Sequence, residues 1–130
     1  MQIELRSLLR GVPAVAALCG VRVDWGKRPQ GDPYPAICLH LIGDREGHTL
    51  QGADGLSQGR VQVDCYAEAY GEAAAGARAV RDALNGYRGG GFRGVFLEAT
   101  RDNTERGSNE PDRAARVSMD FLVNWRESNA

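Results

Sequence analysis

The sequence predicts an α+β domain: one twisted, mainly antiparallel sheet of four or five strands with two helices packed on one face. Three observations predict it. Several stretches alternate apolar and polar residues with a period of two, as half-buried strands do. Two other stretches repeat their apolar residues with the period of a helix. Most of the strand-like stretches follow one another through loops rather than helices, which suits antiparallel pairing.

The first helix is read from Leu5, Leu8, Leu9 and Val12, which fall on one face at i, i+3, i+4 and i+7. Gly11 and Pro13 interrupt it, and Ala14 to Cys19 makes a short further turn closed by Gly20. Val21-Arg22-Val23-Asp24-Trp25 alternates and is read as a half-buried strand. Gly26 to Pro35 holds three prolines and two glycines, so it is a loop, with Tyr34 extended between Pro33 and Pro35. Ala36 to Ile42 is nearly all apolar and reads as a well-covered strand.

Asp44 to Ser57 is polar, rich in glycine and without period, and reads as a long loop. From Gly59 to Ala67 the alternation returns, with Val61, Val63 and Cys65 on one side and Gln62, Asp64 and Tyr66 on the other. Ala73, Ala77, Val80, Leu84 and Tyr87 form the most sustained helical stripe, ended by Asn85-Gly86. Its small residues at the start allow a close approach to a sheet. Gly89-Gly90-Gly91 is a turn, and Val95 to Thr100 a strand. Arg101 to Pro111 is charged and turn-rich, hence a loop. The last strand is long, with Val117, Met119, Phe121, Val123 and Trp125 on its apolar side.

A chain of 130 residues is one domain of ordinary size, read here as spanning 1–130. With 42% hydrophobic and 25% charged residues it has the makings of a packed core rather than of disorder. The formal net charge of -1 argues against a general nucleic-acid binder and permits like copies to approach one another. No apolar run is long enough to span a membrane. The opening Met1-Gln2-Ile3-Glu4-Leu5 has no basic segment leading into an apolar one, so no secretory leader is expected.

The residues of catalysis do not assemble into a pattern. His40 and His48 are the two histidines, and neither shares ligand spacing with Cys19, Cys38 or Cys65. The three cysteines are expected to be reduced and largely buried, and His40 a satisfied or surface strand residue. Cys65 follows Val61 and Val63 on an apolar side, the wrong place for a reactive thiolate. The sequence holds no Gly-x-Ser-x-Gly, and Gly89-Gly90-Gly91 is not followed by Lys-Ser or Lys-Thr. Glu98, Glu105, Glu110 and Asp112 read as solvated charge. No cofactor, metal or catalytic residue is therefore expected.

Gly59-Arg60-Val61-Gln62-Val63-Asp64-Cys65-Tyr66-Ala67 runs into the alanine-rich helix 73–84, after an opening helix and a strand bearing Pro35-Ala36-Ile37. The chain closes on Met119-Asp120-Phe121-Leu122-Val123-Asn124-Trp125-Arg126-Glu127. This ordered combination, over nearly the whole chain, resembles the tail-completion or tail-terminator proteins of tailed phages, prophages and gene transfer agents. The resemblance implies a non-enzymatic ring, typically a hexamer of this chain, seated on the finished tail tube. Such a ring ends tube growth and presents a surface to the head-side connector. Its partners would be further copies of itself, the tail tube protein and the connector, with DNA only passing through the channel. The protein would be made in the bacterial cytoplasm and reside in the virion, at the end of the tail nearest the head.

Two other readings are weighed against this one: a head–tail connector of the same kind of particle, and a small ligand-binding or enzymatic domain. For an assembly role the expected contact residues are Tyr34 beside the Pro/Gly loop, His48, Leu50 and Leu56 in the long loop, and Arg101 and Arg106 in the charged loop. Trp25 is expected in the core.

Overall fold

The computed structural model describes residues 1–26, 33–42, 50–51, 56–103 and 115–126. Helix α1 (Gln2–Arg10) buries Leu5 and Leu9, with Leu8 and Val12 packed alongside. Pro13 opens α2 (Pro13–Cys19), where a missing N–H costs nothing, and Gly20 turns the chain at φ 59°, a conformation that favours glycine. The strands are β1 (Val23–Trp25), β2 (Ala36–Ile42), β3 (Leu50–Gln51), β4 (Leu56–Ala67), β5 (Phe92–Asn103) and β6 (Ala115–Arg126). Helix α3 (Tyr70–Leu84) lies between β4 and β5 in sequence.

The strands form one sheet in the order β1-β2-β4-β6-β5. The short β3 pairs with the start of β4, in line with β2. Pairing is antiparallel except between β1 and β2, where Val23 stands opposite Ile37 and Trp25 opposite Leu39 in parallel register. A loop between successive strands was expected to give an antiparallel pair. It does not here because β1 has only three residues, so the return path is about 10 Å, well within reach of the link from Gly26 to Pro35.

All three helices serve one face of the sheet. Val61, Val63 and Cys65 of β4 stand opposite Phe121, Met119 and Val117 of β6, and all six are buried. Onto them α3 lays Ala73, Ala77, Val80 and Leu84, the stripe expected from the sequence. Gly76 faces β4, where an added Cβ would make an ordinary 3.7 Å contact with the Cβ of Cys65. α1 and α2 complete the cover with Leu5, Leu9, Val15 and Cys19. Trp25 packs against this core and its Nε1 donates to the Gln2 carbonyl at 2.8 Å.

Several boundaries differ from expectation. Val21 lies outside β1 and is exposed. β4 begins at Leu56, and Leu50 and Gln51 are laddered to Gln58 and Ser57, so the stretch 44–57 is not wholly a loop. β5 starts at Phe92 and runs on to Asn103, so Arg101 belongs to a strand and not to a loop. Register shifts between Phe92 and Gly94 and between Leu97 and Ala99 let this long strand follow β6.

Candidate assembly surface

The second face of the sheet has none of these helices over it, and several of its polar side chains pair with one another, while the Oγ of buried Ser118 has no partner among the described residues. Asp64 stands at its centre, almost fully buried, accepting from Gln62 Nε2 at 2.9 Å and facing His40 Nε2 at 3.3 Å. These partners come from β2 and β4, the strand pair that sets His40 opposite Gln62 and Cys38 opposite Asp64. Arg60 of β4 reaches across β6 to Glu98 of β5 at 2.8 Å. Gln58 donates to Asn124 at 2.8 Å, and the Arg116 guanidinium lies 5.9 Å from the centre of the Tyr66 ring. Ile42, Arg60, Leu122 and Phe96 form one row across four strands, with Ile42 and Phe96 exposed.

Each edge of the sheet is partly satisfied from within the chain, the β1 edge by Arg6 and the β5 edge by the Asn85–Gly86 turn. At the β1 edge Arg6 Nε donates to the Val23 carbonyl at 2.7 Å, and its Nη2 to Asp24 at 2.9 Å. At the β5 edge the Gly86 N–H donates to the Val95 carbonyl at 2.6 Å, and the Leu97 N–H to Asn85 Oδ1 at 3.0 Å. A groove of about 150 Å³ lies between α3 and the end of β5, bordered by Tyr70, Ala74, Arg78, Thr100 and Asp102. Tyr70 Oη donates to Asp102 at 2.9 Å across one end of it.

The expected contact residues are scattered. Tyr34 is half-buried just ahead of β2, on a cis Tyr34–Pro35 bond. His48 and Arg106 lie outside the described residues. Leu50 opens β3 and Leu56 opens β4, so both begin paired strands. Arg101, expected in a loop, is exposed on β5 and donates through Nη1 and Nη2 to the two carboxylate oxygens of Asp120 on β6. That ion pair lies within one chain. What the sequence did not disclose was the burial of Asp64 and Ser118 on the side away from the helices. Their alternation with apolar neighbours marks the face, but partners on adjacent strands decide the burial.

The cysteines follow their setting. All three are free and buried. Burial pushes the Cys65 thiol far above the usual range, helped by neighbouring Cys19 and Asp64. Burial also raises Cys19, against a smaller opposing pull from Arg22. Among the described residues no group of three His, Cys, Asp or Glu is placed to hold a metal ion. No helix among them is long and apolar enough to cross a membrane.

These elements make a three-helix layer on one face of a mixed open sheet, an α+β architecture. Residues 3–124 match the family described as tail completion protein gp17. The chain belongs to that family, and so to the structural proteins of phage-type tails. Its fold is shared with a chain of the virion of a native gene transfer agent particle, at a TM-score of 0.69 and 20% identity over 98% of this chain and 95% of that one. No curated protein sequence matches it.

Proposed function

We propose that the protein closes the finished tail tube as a ring of identical copies, ends tube elongation and offers the surface on which the head joins. The match to a tail-completion family over residues 3–124 carries this reading. Two unlike edges, one finished by Arg6 and the other by the Asn85–Gly86 turn, support it, because a ring of one chain needs two different lateral surfaces. A hexamer is the ring size put forward, with the tail tube protein below, the head-side connector above and DNA passing through the channel. In this reading the protein acts without catalysis or cofactor. It is made in the bacterial cytoplasm and ends up at the head-proximal end of the tail. Tyr34, His48, Leu50, Leu56 and Arg106 are contact residues, and Arg101, already held by Asp120, is a fixed charge at the contact.

Particles made without this chain test the reading. Tails of uncontrolled length, and heads that stay unjoined, are the expected outcome. Tails of normal length with only the head joint missing would assign the protein to the connector instead. Normal infectious or transducing particles would remove it from assembly altogether.

A further inference from the structure

We infer that the corner at Asn85–Gly86 is a modification site, where the Asn85 side-chain amide converts to a carboxylate when the corner opens, and that two hydrogen bonds to β5 hold the reaction back in the folded protein. The inference stands apart from the ring reading.

The chemistry belongs to the Asn-Gly pair. The Gly86 backbone nitrogen attacks Cγ of Asn85. A bond forms between them, the bond from Cγ to Nδ2 breaks, the Gly86 nitrogen gives up its proton and ammonia leaves. Water then opens the resulting five-membered imide at one of its two carbonyls, to aspartate or to isoaspartate. Isoaspartate routes the main chain through the former side chain and lengthens it by one carbon. Gly86 has no side chain to obstruct the attack, whereas Asn103, Asn109, Asn124 and Asn129 are followed by Thr104, Glu110, Trp125 and Ala130. Asn85 and Gly86 are both exposed, so water reaches them.

The fold needs each member of this pair for a separate reason. Gly86 turns the chain at φ 83°, a left-handed conformation that disfavours any side chain. Asn85, extended at the end of α3 with ψ 116°, brings Oδ1 to the Leu97 N–H on the outermost strand of the sheet. That N–H would otherwise lack a partner within the ladder. Placing the two residues side by side makes the corner labile.

The same two contacts guard it. The Gly86 N–H donates to the Val95 carbonyl at 2.6 Å, so the attacking nitrogen faces β5 and its proton is held there. The Leu97 N–H holds Asn85 Oδ1 at 3.0 Å and keeps the side chain turned to the same strand. Ring closure needs the nitrogen freed of its proton and in contact with Cγ. Neither condition is met while both bonds stand. Beyond the corner, the Tyr87 N–H donates to the Leu84 carbonyl at 2.9 Å, and the Tyr87 ring packs edge-on to Phe92 at 5.9 Å. The corner must therefore open before it reacts, and the rate follows the open fraction. Isoaspartate then makes the opening permanent, because the lengthened chain no longer sets both contacts on β5 at once. The β5 edge loses its cover at Val95 and Leu97.

The test follows the peptide 82–88, which trypsin releases between Arg81 and Arg88, by mass and by chromatographic separation of the aspartate and isoaspartate forms. The full-length protein is incubated at mildly alkaline pH, folded and in guanidinium chloride. The unfolded chain should convert at Asn85 while the other four asparagines persist, and the folded chain should convert about tenfold or more slowly. Asn85→Gln, whose ring would need six members, should stay unconverted in both. Hydrogen exchange on the refolded isoaspartate form should show the Leu97 amide exposed. Asn85→Asp keeps the chain length and an acceptor, and should leave Leu97 protected. No conversion in guanidinium chloride would remove the site. Equal rates in folded and unfolded protein would show that the two hydrogen bonds do not guard it. Full protection of Leu97 in the isoaspartate form would show that the corner closes again, and the permanent opening would be wrong.

Discussion

Leu84 shows how a single position on the sequence stripe becomes energy. It is the last buried residue of α3 and is fully covered. Truncation there removes apolar contacts in a place that the surrounding sheet cannot readily fill, so Leu84→Ala should cost about 2–5 kcal/mol in a denaturant titration. A loss inside measurement error would mean that the helix does not sit on the sheet as described. Arg101 makes the opposite case. Its bidentate pair with Asp120 has good geometry, yet the arginine is 44% exposed, so water screens the attraction. Asp120→Asn should change stability by no more than about 1 kcal/mol. Asp64 lies between these two. It is as covered as the core, but it is satisfied by Gln62 and His40 rather than by apolar packing. Replacing it by alanine would leave those donors facing a gap, a cost of desolvation and not of charge.

At the scale of elements, what the sequence disclosed depended on who supplies the information. The α3 stripe and the alternation in β4 and β6 are internal to each segment, so Ala73, Val80, Val61, Val63 and Phe121 were identified as core and are core. The extent of β5 was hidden because its ends look like turns. Gly91 and Gly94 suggest a loop, yet Gly94 is in the strand with the Phe96 ring lying over it, where a Cβ would come within 2.9 Å of the ring. Arg101, Asp102 and Asn103 are charged or polar because β5 is an edge strand, a position that tolerates and even favours such residues. The parallel β1–β2 pair was hidden for another reason: strand direction is set by the path of a link and not by strand composition. Contact residues such as Tyr34, Leu50 and Leu56 are chosen by a partner that the sequence does not contain, so their role stays a proposal. Gly76 offers a test at this scale. It sits mid-helix against Cys65, and an added Cβ would make an ordinary 3.7 Å contact. Gly76→Ala should therefore stabilise the protein by about 0.5–1 kcal/mol, by lowering the entropy of the unfolded chain. A loss in thermal melting midpoint would show that α3 is pressed closer to β4 than this spacing allows.

For the whole molecule the decisive feature is that one connected core joins every helix to the sheet, from Leu5 on α1 to Trp125 on β6. A core of that kind should unfold in a single cooperative step, so a local protonation event is read in global stability. Cys65 supplies such an event. Its thiol, ordinarily near 9.0, is pushed far up by burial, and burial likewise raises Cys19 and Tyr66. In each case the folded form holds its proton more tightly than the unfolded chain does. The associated stability is complete below the ordinary pKa and is lost as pH rises above it, because the unfolded chain ionises first. For Cys65 the loss approaches ~1.4 kcal/mol for each pH unit beyond about 9. The urea midpoint should thus be level between about pH 7 and 8.5 and fall steeply by about pH 10.5. Cys65→Ala sets the control: it lowers stability at neutral pH by opening space beneath Gly76, but its midpoint should decline less with pH than that of the wild type. Equal slopes in the two proteins would show that Cys65 ionises as readily inside the fold as outside it, and that the layer between α3 and β4 admits water.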